Sequence, residues 1–198
     1  MNHEQSQVIL SQAQEKASVS AHLEVEGISF RFPHFTLEAI SFGAQSGELV
    51  AIIGRPARRV TADNALDYVG GYTVACDYAI REYLENYYRP NLAVKNRDAT
   101  TPLGPWVIDA SDIGDPQNLH LRATVNGEVV QDGSTADMIL DVASLIAYLS
   151  ETMTLMPGDM ILTGTPQGVH FCAAGDEVVC EIEGVGRLVN RLVAEIGS

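Results

Sequence analysis

The chain carries one hairpin signal that constrains its fold more than any other feature. In the stretch LHLRATVNGEVVQDG, apolar and polar residues alternate on both sides of Asn126-Gly127. Asn-Gly suits a two-residue type I′ turn, because both turn positions need a positive φ. The stretch therefore predicts two antiparallel strands joined by a tight turn, with one face of the pair against a core.

Other segments predict further strands and one longer helix. ELVAIIG (Glu48–Gly54) and GYTVACD (Gly71–Asp77) are short apolar runs with a carboxylate at one end. GDMILTGT and GDEVVCEIEG each begin at a Gly-Asp turn, and VGRLVNRLVAEI is predicted as the last strand. Asp141 is predicted to cap a helix whose apolar face holds Val142, Leu145, Ile146, Leu149 and Met153. The predicted fold class is mainly β with a few helices, a mixed α+β arrangement.

The remaining segments complete the predicted organisation. A brief helix is predicted over Asp63–Val69, capped by its first residue or by Thr61, and another over Ile80–Tyr88. Residues 1–21, rich in Gln, Ser and Ala, are predicted to form a tail or a short helix. No repeat, linker or low-complexity break interrupts residues 22–198, which are therefore predicted to form a single domain.

The charge balance excludes some classes of partner. The 198 residues include 12 Lys and Arg against 26 Asp and Glu, a net charge of −14. Proteins that bind nucleic acid or anionic membranes rely on clustered Lys and Arg, so neither is expected as a partner. Seven of the twelve positive charges lie within residues 54–98, which indicates a local zone that suits a small anion.

Cysteine usage and the N-terminal residues bear on location. The three cysteines are an odd number without CxxC spacing, which favours a reducing compartment over a disulfide framework. The first residues lack the basic and apolar regions of a signal peptide. The longest aliphatic run, Leu49–Ile53, is far shorter than the roughly 20 residues that cross a bilayer. A cytoplasmic location is expected.

Two carboxylates and two cations are the first candidates for chemistry. Glu48 and Asp77 lie at the ends of predicted strands, where they either stay solvated or share a divalent cation such as Mg²⁺. Arg81 follows Asp77 by one helical turn, and Lys95 lies in a polar loop. The small-residue segment TGTPQG (Thr163–Gly168) suits a loop that brings backbone N–H groups to a ligand, although a plain tight turn fits the same composition.

Longer motifs identify a family. The segments GYTVACDYAIREYLENYYRPNLAVKNRD, TPLGPWVI, NGEVVQDGSTADMI, LIAYLSETMTLMPGDMILTGTPQGV and GDEVVCEIEGVGRLVNRLV resemble the fumarylacetoacetate hydrolase superfamily, in particular its isomerase/decarboxylase members. The resemblance covers about residues 48–195. It implies a fumarylacetoacetate-hydrolase-like β roll, usually a homodimer, with a heteromer formed with a related subunit as the alternative.

The resemblance also implies site residues and a cofactor. By position, Glu48 and Asp77 match two of the family's three ligands for Mg²⁺ or Mn²⁺, and Ser46 stands where the third, a glutamate, is expected. Lys95 matches the active-site lysine and would be catalytic. Arg81, Gly164 and Thr165 match positions that bind the substrate, a small 2-oxo dicarboxylate.

The implied activity is metal-assisted decarboxylation or isomerisation of an unsaturated 2-oxo dicarboxylate in aromatic (4-hydroxyphenylacetate or homoprotocatechuate) catabolism. Ser46 replaces an anionic ligand with a neutral hydroxyl, so a non-catalytic partner subunit is the first alternative. Another 2-oxo acid hydrolase or decarboxylase of the superfamily is the second.

The N-terminal region departs from the family pattern. Residues 1–45 do not resemble the entry segment of the hydrolase members, and residues 22–53 look like the opening strands of an ABC-type ATPase. The following residues, Gly54–Arg59, lack the Lys and Ser/Thr of a phosphate loop, and Pro56 removes a backbone N–H. ATPase function is therefore excluded.

Overall fold

The computed structural model describes residues 42–80, 92–96 and 99–194, with side chains from residue 47 onward in the first range and from residue 94 onward in the second. The predictions for residues 1–21 and for a helix over Ile80–Tyr88, together with Arg81, fall outside these ranges apart from Ile80 itself.

The described chain consists mostly of strands. These are β1 (Phe42–Ile53), β2 (Val69–Ala79), β3 (Leu103–Asp109), β4 (His120–Val125), β5 (Glu128–Ser134), β6 (Met160–Leu162), β7 (His170–Cys172), β8 (Glu177–Ile182) and β9 (Gly186–Arg191). The helices are α1 (Ala62–Ala65), α2 (Leu92–Lys95) and α3 (Val142–Thr152), with single 3₁₀ turns at Leu66–Tyr68, Ala110–Asp112 and Thr135–Asp137. The predicted mainly β class with a few helices is confirmed.

The strands form two antiparallel sheets with a shared core. The first sheet has the order β3-β2-β1-β6, and β7 also pairs with β1; the second has the order β5-β4-β8-β9. Apolar side chains from both sheets, among them Leu49, Val74, Val178 and Ile182, are buried in one cluster with α3 residues Val142 and Ile146. Within the described ranges, none of the helices has the length and apolar character needed to span a membrane.

The strongest local predictions are confirmed. Val125 pairs with Glu128 across the Asn126-Gly127 turn, whose φ values of 51° and 84° are those of a type I′ hairpin. Asp141 caps α3, because its carboxylate accepts a hydrogen bond from the Ser144 N–H at 2.6 Å. Met153 was predicted on the buried face of α3, but it is 51% exposed, because the helix ends at Thr152 and Met153 is already extended.

Several element boundaries differ from the sequence patterns. The α1 helix begins after Thr61 but covers only Ala62–Ala65, and Val69 already belongs to β2. β1 and β2 extend beyond the predicted strands, so Glu48 and Asp77 lie inside strands rather than at their ends. β6 is only three residues long, which leaves Thr163–Gly168 outside regular structure.

β6 and β7 pair with the same edge of β1. β6 pairs with Val50–Ile52 and β7 with Phe42–Ala44. The chain between them must therefore pass beside the middle of β1, where Glu48 lies. This arrangement, rather than any local motif, brings the TGTPQG segment to the carboxylate.

Candidate active site

Glu48 and Asp77 lie on one face of the β1–β2 pair. Glu48 is opposite Ala75, and Asp77 is two residues further along β2 on the same face. The two residues are only 3% and 7% exposed. The interpretation of these residues as solvated strand-end acids is therefore wrong, since both carboxylates are withdrawn from bulk water.

A β-bulge in β1 lies next to this pair. Gln45 is opposite Asp77 and Gly47 is opposite Cys76, so Ser46 is an extra residue with no partner position on β2. A bulge of this kind changes the direction of the strand and often occurs beside active sites. The backbone of Ser46 thus adjoins Asp77, whereas its side chain falls outside the described part of the chain.

A cavity of about 420 Å³ opens over the two carboxylates. It is lined by Glu48, Asp77, Lys95, Leu162, Gly164 and Thr165. Its volume lies in the range of sites that bind small organic ligands. The structure thus brings together all the residues that the sequence singled out and whose side chains it describes.

Lys95 reaches the cavity from the last position of α2. Its Nζ forms a hydrogen-bonded ion pair with Asp77 Oδ2. Two contacts hold the helix in place: Ile80 N–H donates to Val94 O at 2.9 Å, and Thr100 Oγ1 donates to Lys95 O at 2.5 Å. An ammonium group therefore stands directly beside one of the two buried carboxylates.

The TGTPQG loop closes one side of the cavity. Thr163 Oγ1 donates to Leu49 O at 2.8 Å, and Gly164 N–H donates to Glu48 Oε2 at 2.8 Å. Gly164 has φ +98°, a conformation that residues with a Cβ rarely adopt, so glycine suits the turn that aims its N–H at Glu48. The loop is thus fixed to the same strand that carries the carboxylate.

The groups around Glu48 do not fully compensate for the burial of its carboxylate. Burial raises the pKa of the Glu48 carboxyl and the Asp77 carboxylate raises it further, while the Gly164 N–H and the Lys95 ammonium act in the opposite direction; the net shift is upward. Two buried carboxylates that repel each other are a donor set that a divalent cation would stabilise.

The donor set fits a hard divalent cation that keeps several waters. Mg²⁺ commonly takes one or two carboxylates and completes its octahedron with water or substrate oxygens. Within the described ranges, no group of three or more His, Cys, Asp or Glu side chains is arranged to hold a metal ion. Glu48 and Asp77 line the cavity together and could hold such an ion between them, with Lys95 as the neighbouring cation.

We expect Glu48→Gln to stabilise the chelator-treated protein increasingly as pH rises. The pKa of Glu48 in the folded protein lies above its unfolded value of 4.5. Between pH 4.5 and the folded pKa, the folded state therefore binds more protons than the unfolded state. Stability is therefore lost as pH rises through that window, and the glutamine variant escapes the loss. The difference in Tm between variant and parent should be near zero at about pH 4 and positive at pH 7.

Asp141→Asn is the control with the opposite sign. Hydrogen bonds from Ser144 lower the pKa of Asp141, so its contribution to stability is present at neutral pH and lost in acid. Its Tm difference from the parent should become negative, not positive, as pH rises. A pH-independent Tm difference between Glu48→Gln and the parent would show that the ionised Glu48 carboxylate does not destabilise the folded protein.

Sequence patterns missed part of the site. Leu162 lines the cavity but was not singled out from the sequence. Its position just before the Thr-Gly-Thr turn is the local signal that could have indicated it. Arg81 lies outside the described residues, so its substrate-binding role stays a prediction. His120 is exposed and its ring contacts Asp132 at 2.9 Å, and Cys76 is buried in the core.

Comparisons with known proteins show which family and which solved structures this chain is similar to. The model of the "Fumarylacetoacetate (FAA) hydrolase C-terminal" family matches residues 21–193, a range that includes all of the ATPase-like stretch and begins before the predicted start of the resemblance at about residue 48. A 4-hydroxyphenylacetate degradation bifunctional isomerase/decarboxylase from Salmonella dublin is 62% identical over 148 residues, which cover 75% of this chain and 34% of the relative. The chain thus spans about a third of the length of this curated relative.

Two solved structures are also similar. A 2-hydroxyhepta-2,4-diene-1,7-dioate isomerase from Mycobacterium marinum matches with a TM-score of 0.72 and 41% identity, over 78% of this chain and 59% of that one. A fumarylpyruvate hydrolase from Pseudomonas aeruginosa, crystallised with Mn²⁺ and pyruvate, matches with a TM-score of 0.74 and 32% identity. That match covers 83% of this chain and 70% of the hydrolase.

Proposed function

Because the chain belongs to the fumarylacetoacetate hydrolase family, we propose that its cavity binds an unsaturated 2-oxo dicarboxylate and catalyses its decarboxylation or isomerisation. The observation that carries this proposal is the convergence of two buried carboxylates, an ammonium group and a backbone-rich loop on one cavity. The Salmonella dublin relative, named as an isomerase/decarboxylase of 4-hydroxyphenylacetate degradation, supports the choice of reaction and of pathway class.

Glu48 and Asp77 are the residues we propose for holding Mg²⁺ or Mn²⁺. The Pseudomonas aeruginosa hydrolase was crystallised with Mn²⁺ and a 2-oxo acid, which supports a divalent cation in this family. When bound, such a cation supplies Lewis acidity that stabilises negative charge on the 2-oxo oxygen. On the family resemblance, Ser46 stands where a third carboxylate is expected, so water or substrate oxygens would have to fill the remaining places.

Lys95 is the residue we propose for proton transfer. Its ammonium group lies in the cavity on Asp77, where it can deliver a proton from Nζ to a substrate carbon and stabilise developing negative charge. In decarboxylation the proton replaces the departing carboxylate, and in isomerisation it is added at one carbon while another carbon loses one. Neither reaction requires an activated water.

The loop and the neighbouring side chains orient the substrate in this proposal. The Thr165 hydroxyl and the adjacent backbone receive the 2-oxo acid carboxylate, and Leu162 contacts the carbon chain. Arg81 is assigned to the distal carboxylate on the family resemblance. A homodimer, or a heteromer with a related subunit, and a cytoplasmic location stay predictions.

Chelator-treated protein tests the proposal directly. We expect Mn²⁺ to bind in a calorimetric titration and to restore turnover of 2-oxo-hexenedioates, followed by ultraviolet absorbance and by release of CO₂. Lys95→Met should keep metal binding and lose at least about a hundredfold in kcat, because general acid catalysis contributes about that much. Absence of both metal binding and turnover would refute the proposal.

Two alternatives remain as outcomes. Metal binding without turnover would favour the non-catalytic partner subunit, for which the replacement of a ligand by Ser46 is the supporting observation. Cleavage of fumarylpyruvate by water into two shorter acids, without CO₂, would favour a hydrolase, as the Pseudomonas aeruginosa relative is named.

A further inference from the structure

A buried glutamine on the second sheet contacts the loop of the candidate site. Gln131 lies on β5 opposite Ala123 and is only 3% exposed. Its Nε2 donates to Pro166 O at 2.8 Å, across 35 residues of sequence. The contact joins the second sheet to the loop that carries Gly164 and Thr165.

The loop lies closely against β5 at two further points. A Cβ on Gly168, which has φ +121°, would lie 2.6 Å from Val130 O, so only glycine permits this approach. A Cβ on Gly133 would lie 3.1 Å from the Pro166 ring. β5 also carries a bulge at Val130, between the pairs formed by Val129 and Gln131. The loop is therefore held by β1 at Gly164 and by β5 from Pro166 to Gly168.

Thr165 lies between these two attachments and shares an acceptor with Gln131. Its Oγ1 donates to Pro166 O at 3.1 Å, the same oxygen that receives Gln131 Nε2. A carbonyl oxygen has two lone pairs and can accept both bonds. If the Thr165 hydroxyl turned towards a ligand, the Pro166 carbonyl would still keep the bond from Gln131.

We propose that Gln131 is the positioning residue of this loop: it satisfies the Pro166 carbonyl so that the Thr165 hydroxyl can donate to a bound carboxylate. The inference rests on the proposed function, which places the 2-oxo acid at Thr165. Without Gln131, the Thr165 hydroxyl would be the remaining donor to the half-buried Pro166 oxygen. If the hydroxyl then turned to a ligand, the Pro166 oxygen would lose its hydrogen bond.

The remaining bonding of Gln131 supports a role beyond packing. Its Oε1 is buried and has no protein partner among the residues that the structure describes. A buried amide that is only partly bonded contributes less to folding than an apolar side chain of similar shape. Replacement by methionine should therefore affect ligand binding more than the thermal stability of the fold.

Pyruvate binding in the presence of Mn²⁺ tests the proposal. For Gln131→Met we expect the Kd for pyruvate to rise about tenfold, with Tm nearly unchanged. In a Thr165→Val background the same change should have little further effect, because it acts through the threonine hydroxyl. Thr135→Val, which removes a buried acceptor of the Leu119 N–H away from the loop, is the matched control and should lower Tm while keeping the Kd.

A pH series on Gln131→Glu adds a signature that packing alone would not give. A protonated glutamate can donate to Pro166 O, whereas its carboxylate would repel that oxygen. The ratio of the variant's Kd for pyruvate to that of the parent should therefore rise with pH and approach one in acid. A pH-independent ratio, or additive effects of the Gln131→Met and Thr165→Val changes, would overturn the proposal.

Hydrogen exchange separates this proposal from the proposed function. If the unmodified protein binds no pyruvate with Mn²⁺, the proposed function fails. Faster amide exchange within residues 163–168 of Gln131→Met, by about tenfold and absent from Thr135→Val, would still support the positioning role. Unchanged exchange in that segment would overturn it, whatever the activity.

Discussion

Replacing Asp77 with asparagine is expected to lower kcat/KM for a 2-oxo dicarboxylate by at least about a thousandfold. The substitution keeps the size of the side chain but removes one of the two buried carboxylates in the cavity. It also removes the partner of the Lys95 ammonium, so both the proposed cation site and the proposed proton donor lose their electrostatic support. Steady-state kinetics with saturating Mn²⁺, together with a calorimetric Mn²⁺ titration, measure the two losses.

The controls separate chemistry from folding. Asp77→Asn leaves the Lys95 charge without its carboxylate, so Tm should fall, and adding Lys95→Gln should restore part of the stability but none of the activity. Asp67→Asn changes an exposed carboxylate that pairs with Arg55 at 3.7 Å, and it should leave kcat/KM unchanged. Retention of kcat/KM within about threefold in Asp77→Asn would contradict the assigned role of this residue.

Local signals in the sequence predicted the elements whose geometry is set by neighbouring residues. The Asn126-Gly127 turn and the Asp141 cap satisfy their own backbone hydrogen bonds, so their residue types indicated the structure correctly. The prediction that Met153 lies on the buried face was wrong because amphipathic spacing does not reveal where a helix ends. The predicted length of β6 was wrong because the pairing with β1 stops at Leu162. The apolar residues of the segment do not indicate where that pairing ends.

The candidate site depends on contacts that no local pattern contains. Residue types and the family motifs singled out Glu48, Asp77 and Lys95, but their convergence follows from the β1–β2 register and from the attachment of α2 to β2. The loop reaches Glu48 because β6 and β7 share one edge of β1. Gln131 lies within a family motif but was not singled out, since it belongs to the second sheet and contacts the loop only in the folded chain.

Replacing Ser46 with glutamate is expected to tighten Mn²⁺ binding by at least about tenfold, because affinity for hard cations rises with the number of charged ligands. The backbone register supports the expectation: position 46 stands at the bulge beside Asp77 and two residues before Glu48. In the chelator-treated protein the same substitution should lower Tm, since a third carboxylate adds repulsion to a site where the pKa of Glu48 is already raised. Mn²⁺ should then raise Tm more in the variant than in the parent.

Ser46→Gln is the matched control, because it adds the same length without the charge and should neither tighten Mn²⁺ binding nor lower the Tm of the chelated protein. If Ser46→Glu fails to tighten Mn²⁺ binding, position 46 does not face the cation, and the serine at this position ceases to favour a non-catalytic subunit. If binding tightens and turnover rises with it, the natural chain has a weakened site. If binding tightens while turnover falls, Ser46 belongs to a working site in which a third carboxylate would occupy a coordination place that the substrate needs.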